Sequence, residues 1–507
     1  MLTRREVLVS ALAASVTPWA SPSFAQQAKA GGHLTAAVVL ETASLDPIFG
    51  NAPGPSDRNI YNLYVENLVY HAADGSFQPM LAESWELAAD GKSVTFKIRP
   101  GVKFSDDTPL DAEAVKFNLD RVMDPQVDAR ARQFTGDFES TDVIDEMTVR
   151  LNLKQPSGPI LAILAEEAGS IVSPTAVKER GEDFARNPVG TGPFVIKSWS
   201  SGVVEAERFD GYWGEKALLD QITVRVINNT AVKIVEAKAG SVQLADAIQV
   251  KDFAEVEGDE NLALLDMPLA ITAYMVFNNQ RSPFKENAEL RKALALSLNR
   301  EAIKKAVSGD LGGVLTAFEP PQAWDWDESL TGHKYDPDAA REAYEKSGFT
   351  GQLSMLCIQR DPDTLIAQLA QSMFKQAGID VKIEVIERSA WVPKILAYDY
   401  DISLVRAQAP LSDPDLIFST FFGRSAAQDF AGIRNPEIWD LVDKARSLSD
   451  QAERKKIYVD IQQKILDNYW QTYMSWRPQR DIARRSLMGF EREYCGAWRY
   501  NKMWLDA

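Results

Sequence analysis

Histidine is nearly missing from this chain: 507 residues contain three, His33, His71 and His333. None stands at helical or Cys-x-x-Cys-like spacing from another, so no metal motif can be built on imidazole. Cysteine is scarcer still. Cys357 and Cys495 are far apart, each in its own apolar segment, which leaves open a disulfide or two buried free thiols. A basic surplus is missing too, since 55 Lys and Arg face 72 Asp and Glu for a formal charge of −17. That balance cannot neutralise phosphate, which argues against nucleic acid and anionic lipid as partners. No GxSxG elbow, HExxH or GxxxxGK[ST] occurs. Gly190-Thr191-Gly192-Pro193 imitates a phosphate cradle, but Pro193 has no N–H and strands rather than a helix follow. Two Gly and a Pro suit a tight crossing between subdomains better.

The first segment reads as an export signal. Thr3-Arg4-Arg5 precede an apolar run from Val7 to Trp19, and Ser23-Phe24-Ala25 offers small residues for cleavage. Paired arginines followed by Leu8 point to the twin-arginine route. The apolar run is shorter than the roughly 20 residues a membrane span needs. Residues 1–25 are therefore expected to be removed, leaving 482 residues with a net charge of −18, enough for two or three cores.

Beyond Ala25 the hydrophobic periods change along the chain. Leu34 to Leu40 and Val94 to Ile98 read as strands, and Asn59 to Tyr70 as a helix. A β-rich block covers Phe194 to Trp199, Val203 to Phe209 and Ile222 to Val226. A strong amphipathic helix runs from Glu289 to Val307. Strand and helix then alternate: Leu353 to Ile358, Thr364 to Gln376, Val381 to Ile386, Trp391 to Leu396, Ile402 to Val405. Such alternation predicts a largely parallel sheet covered on both faces. The tail from Ile482 to Trp504 has no partner of its own and must return to the first half. A discontinuous first lobe and a contiguous second lobe are expected, joined by two crossing strands near Asn278 and Ser475.

One stretch, VKFSDDTPLDAEAVKFNLDR at 102–121, looks at first like an acidic site. Its order is better explained by structure. Val102 to Phe104 would pair with Val94 to Ile98, Asp106 to Pro109 would turn the chain, and Asp111 would cap a helix carrying Ala114, Val115, Leu119 and Val122.

LAESWEL…DGKSVTFKIRPGVKFSDDTPLDAEAVKFNLDR, NPVGTGPFVIKSW at 187–199, FDGYW at 209–213, FNNQRSPFKENAELRKALALSLNREAI at 277–303 and DPDLIF at 413–418 resemble the peptide/nickel family of extracytoplasmic solute-binding proteins that serve ABC importers. The family usually has Gly where this chain has Asp107. The resemblance implies an α/β, two-lobed periplasmic binding protein fold with a hinge. Lobe I would be 26–277 plus 478–507, with 69–186 as an extra subdomain, and lobe II 278–477. It implies no catalysis and no cofactor. The expected partners are a small solute and inner-membrane permease subunits, with the protein acting as a monomer in the periplasm.

Within that frame two loops at the carboxyl ends of strands stand out, 358–363 and 409–415. The resemblance assigns Arg360 to a ligand carboxylate and Asp413 to a ligand ammonium, an arrangement the charges can support. Each Asp-Pro is also a good helix start. Arg406 supplies a second positive group where relatives carry a glycine- and tryptophan-containing run, which points away from an ordinary dipeptide. Trp391, Trp324, Trp326 and Tyr274 are candidate walls. The sequence thus predicts capture of a peptide or peptide-like zwitterionic or anionic solute. An opine-like compound or a nickel chelate is the alternative, ahead of a hydrolase or chaperone on the same scaffold.

Overall fold

The computed structural model describes residues 28–50, 55–409 and 413–506. The expected export signal lies outside them, as do Pro410, Leu411 and Ser412. One eleven-stranded sheet runs through both halves. Its strands are β1 (His33–Val38), β2 (Phe194–Ser200), β3 (Val203–Arg208), β4 (Gln221–Val226), β5 (Leu244–Ile248), β6 (Leu262–Phe277), β7 (Gly313–Val314), β8 (Leu353–Ile358), β9 (Val381–Ile386), β10 (Ile402–Ala409) and β11 (Gln471–Arg484). Their order is β2-β3-β4-β1-β5-β11-β6-β10-β8-β9, with β7 beside β11.

The two long strands, β6 and β11, carry the sheet from one lobe to the other. They pair from Leu262↔Arg484 to Asp266↔Arg480 and again from Ala270↔Pro478 to Val276↔Gln471. The ladder is interrupted between, where Pro268 and Pro478 lack the N–H it would need. On one side of this break β5 joins β11, and on the other β10 joins β6. The break thus lies before Asn278 on one strand and beyond Ser475 on the other.

Strands β8, β9 and β10 are parallel, as strand–helix alternation predicts, but β10–β6 and β6–β11 are antiparallel. The second lobe's sheet is therefore mixed rather than largely parallel, because β6 enters it from the other lobe and runs opposite to β10, β8, β9 and the departing β11. Residues alternate faces along a strand. Tyr274, Val276 and Val405 meet one core, with Trp391, Phe418 and Tyr458. Ala273, Met275 and Leu404 meet another, with Leu290, Ile303 and Phe374. The helices on these faces are α2 (Ala288–Ser297), α3 (Arg300–Ser308), α4 (Asp363–Gln376), α5 (Arg388–Leu396), α6 (Pro414–Phe422), α7 (Pro436–Arg446) and α8 (Gln451–Asp467), following α1 (Ala112–Met123) in the first lobe. The amphipathic run expected from Glu289 to Val307 is two helices, because Asn299 leaves the helix and caps α3 through Ala302 N–H.

A separate four-stranded antiparallel sheet holds Ala82–Leu87, Ser93–Ile98, Thr148–Leu153 and Phe138–Asp145 in that order. Ser93–Ile98 lies between the first and third of these, so Val102 to Phe104 is not its partner. The corner itself forms as read. Asp107 takes φ 67°, the left-handed region that Asp tolerates, and Asp111 accepts from Ala114 N–H at 2.8 Å. The helix expected to reach Tyr70 ends at Tyr61. There Asn67 turns inward and donates to the carbonyls of Leu164 and Glu166. Gly190 and Gly192 permit a crossing in which a Cβ would lie 2.1 Å from the Tyr64 carbonyl oxygen or 2.6 Å from its carbon. Cys357 and Cys495 are buried free thiols.

Candidate functional site

β8 ends at Ile358, and the chain reaches the first turn of α4 through Arg360. Asp363, fully buried there, receives Arg360 Nε on Oδ2 at 2.7 Å and pairs through Oδ1 with Arg406 of β10. Arg406 also donates to the carbonyl of Asp361 at 3.1 Å. A third guanidinium, Arg477 of β11, is drawn to the same carboxylate and repelled by Arg360. It is 8% exposed, and its Nε meets no partner among the described residues. Ile271 stands opposite both Gln408 and Arg477, so these share one sheet face, where Gln408 donates to Gln479 at 2.8 Å. Burial pushes Arg406 down to about 9 despite Asp363, and Arg360 and Arg477 reinforce the shift. Three buried or half-buried cations sharing one carboxylate form a site that favours an added anion.

At the other loop Asp413 caps α6 through Asp415 N–H at 2.8 Å. It also pairs with Arg454 of α8 through both oxygens, one contact being 2.8 Å from Nη1. Burial raises the Asp413 carboxyl and Arg454 opposes that rise. Asp413 is thus already matched inside its own lobe. The acids without a partner lie beside it. Among the described residues, both carboxyl oxygens of Glu319 and of Asp325, and Tyr274 Oη, are buried without a partner on another residue.

The predicted walls lie deeper than the sequence reading had them. Trp391 is 4% exposed, donates Nε1–H to Ser403 Oγ at 3.0 Å and sets its ring edgewise to Phe430. It belongs to the core beneath β10. Tyr274 packs against Phe318 and Tyr473 in that same core. Trp324 lies under the Arg454 guanidinium at 5.5 Å, and the Trp326 carbonyl accepts from Lys455 Nζ at 2.6 Å.

The two lobes touch around this region. Lys251 approaches Asp361 at 3.8 Å, Arg446 of α7 approaches Asp137 at 3.6 Å, and Gly158 N–H donates to the Arg446 carbonyl at 2.7 Å. Tyr494, from the tail that returns to the first lobe, is pushed up to about 12 by burial and then by Glu319, Asp325 and Asp413, which it faces. His71 is stacked between Phe77 and Tyr494, and burial drives it down to about 4. No group of three His, Cys, Asp or Glu side chains is arranged to hold a metal among the described residues.

Of the sequence-predicted residues, Arg360 and Arg406 come together, while Asp413 sits in a different cluster. Arg477, Glu319 and Asp325 were missed. Arg477 carried one legible signal, a charge inside an apolar strand beside Pro478. Glu319 and Asp325 lie in an irregular stretch where acids are too common to stand out.

Comparisons with known proteins agree with this architecture. Residues 76–429 match the family model of bacterial extracellular solute-binding proteins, family 5. The probable D,D-dipeptide-binding periplasmic protein DdpA of Escherichia coli K12 is 27% identical over 442 residues, covering 84% of this chain and 85% of that one. The glutathione-binding protein GsiB of Escherichia coli O6:K15:H31 is 27% identical over 497 residues, 94% of each chain. The structure of AgaA from A. tumefaciens R10 in complex with agropinic acid superposes with a TM-score of 0.81 at 25% identity, covering 94% of this chain and 99% of that one. This chain belongs to the bacterial extracellular solute-binding proteins of family 5, and its fold is the two-lobed α/β fold of periplasmic binding proteins.

Proposed function

We propose that this solute-binding protein is the periplasmic capture component of an ABC importer, taking a small peptide or peptide-like solute between its lobes and presenting it to inner-membrane permease subunits. Residues 1–25 would direct export, and the lobes would be those expected from the sequence, with the pivot at the break in the β6–β11 ladder. Bending at that break leaves both cores intact, which is what hinge closure requires.

The observation that carries the reading is the shared carboxylate of Asp363. Arg360, Arg406 and Arg477 surround it with more positive charge than it can match. A carboxylate of the solute would complete the set, held bidentately by a guanidinium fork. Similarity to a glutathione-binding and a D,D-dipeptide-binding protein supports a peptide-like solute. The arginine excess and the likeness to an agropinic acid complex support a second reading, an opine-like solute. Nothing in the arrangement supplies a nucleophile–base pair, so binding rather than turnover is proposed.

The test is calorimetry on protein stripped of endogenous solute by reversible denaturation. Titrants would be glutathione, L- and D-alanyl-alanine, their amides and an opine. Acids should bind and amides should not. Equal binding of acid and amide would overturn the arginine site, and binding of the opine alone would select the second reading.

A further inference from the structure

We propose that Glu319 and Asp325, completed by Tyr274, form a subsite for the solute's ammonium group, so that Asp413 is not its acceptor. The proposal rests on the capture reading above and adds the opposite pole to the arginine site.

The cluster has five buried polar side chains with atoms that find no partner among the described residues. Glu319 is 1% exposed and Asp325 fully buried, and among the described residues neither carboxyl has a hydrogen-bond partner on another residue. Tyr274 Oη, Gln462 Nε2 and Arg454 Nε are buried and unbonded as well. Buried polar groups nearly always find partners, so five failures in one place mark space for something polar. These groups are neighbours: Asp325 and Asp413 act on Glu319, Glu319 acts on Tyr274, and Arg454 acts on Asp325. Gln462 reaches the pocket by accepting from Glu319 N–H at 3.2 Å.

Asp413 cannot serve as well. Both of its oxygens are engaged by Arg454, and one also caps α6. Glu319 and Asp325 keep four acceptor oxygens, the complement of an ammonium's three donors with a tyrosine oxygen beside them. A metal ion is the lesser occupant, because no three-donor set is arranged for one among the described residues. Tyr494, from the returning tail, feels the charge of both acids and of Asp413.

With no cation beside them, both acids are driven toward their protonated forms. Burial, then Asp325 and Asp413, push Glu319 well up, and burial, then Asp413, pushes Asp325 to about 7 against its own backbone N–H, Lys455 and Arg454. The other titratable groups facing them, Tyr274, Tyr473 and Tyr494, are themselves driven up and stay neutral. An arriving ammonium reverses this preference. Binding should then release protons to solvent.

Calorimetry with glutathione and alanyl-alanine, each with its N-acetyl derivative, tests the idea in two buffers of different ionisation enthalpy near about pH 6. The buffer dependence should reveal proton release in the wild type and vanish in Glu319→Gln/Asp325→Asn. Acetylation should weaken binding about 30-fold or more in the wild type and little in the double variant. A double variant that binds the free amines as well as the wild type does overturns the subsite while leaving the arginine site intact. If no peptide binds the wild type, the peptide reading fails separately. Methylammonium then probes the pocket, with carboxyl carbon NMR following Glu319 and Asp325. Deprotonation on titration supports the subsite, and unmoved resonances sink it.

Discussion

Arg446 lies 3.6 Å from Asp137, and under the proposed lobe boundaries the two residues come from opposite lobes. The same guanidinium donates to Asp415 at 2.8 Å and 3.0 Å, two residues from the Asp413 cap. It is thereby anchored in one lobe and only leans on the other. Closure should be favoured by the cross-lobe contact. Asp137→Asn is expected to weaken solute binding by less than about tenfold, the scale of one partly exposed ion pair, without moving the melting temperature of the empty protein. Arg446→Ala is expected to lower that temperature clearly, because fully buried Asp415 loses its partner, at a cost of about 3–5 kcal/mol. Equal melts of the two variants would show that Arg446 is not the anchor of its own lobe.

Gly158 offers a steric test of the same closure. A Cβ there would fall 1.9 Å from the carbonyl oxygen of Leu448, across the lobe boundary. Gly158→Ala should hold the lobes apart without disturbing either core. Small-angle scattering should give a larger radius of gyration than the wild type in the presence of solute, with weakened affinity. An unchanged radius at saturating solute would mean that Gly158 and Leu448 do not meet in the bound state.

Arg477 gives a prediction with opposite signs for binding and stability. Its guanidinium is buried, pushed down from its ordinary value by burial, and opposed by Arg360. Replacing a poorly matched buried charge with an apolar side chain of similar volume often stabilises a fold by about 1–4 kcal/mol. Arg477→Met should therefore raise the melting temperature of the empty protein and weaken binding of an acidic solute about 30-fold or more. A variant that melts lower and binds normally would make Arg477 a structural residue.

Much of this architecture could be read from the chain because it rests on local signals. The corner at Asp106 to Pro109, the Asp111 cap and the strand–helix alternation each depend on residues close in sequence. What could not be read depends on meetings between distant segments. The mixed sheet arises because β6 enters the second lobe against the direction of β10 and of the departing β11, and no periodicity in Leu353 to Val405 records that. The site divides in the same way. Arg360 and Arg406 were found because they sit on loops and strand ends of known polarity. Asp413 was read correctly as a cap position, yet its commitment to Arg454 was hidden 41 residues along the chain in a helix with many charges.

That commitment has its own consequence. Arg454 is almost fully buried, with Asp413 as its two-point partner. Asp413→Asn would remove the charge and leave the guanidinium uncompensated, costing about 3–5 kcal/mol. A lower melting temperature with nearly normal affinity in the folded fraction is expected. The reverse pattern, normal melting with lost affinity, would restore Asp413 as the direct acceptor of the solute's ammonium group.

Asp325 should imprint a pH dependence on stability that can be isolated by difference. Its carboxyl stands near 3.8 when free of the fold and is pushed to about 7 in it, by burial first and then by Asp413. Between those values the folded chain holds a proton that the unfolded chain has released. Fewer protons are then bound in the unfolded state, so this group's contribution falls as pH rises from about 4 to about 7. His71 and His333 act the other way: both are driven down to about 4, so stability is lost as pH drops below their ordinary 6.5. The raw melting curve therefore mixes both trends, whereas the difference between wild type and Asp325→Asn isolates the acid. Relative to the variant, the wild type should lose stability steadily from about pH 4 to about pH 7 and become flat above it. Melts of the empty proteins across that range measure this directly, and a difference curve that is flat throughout would place Asp325 in contact with solvent or with a partner that keeps it ionised.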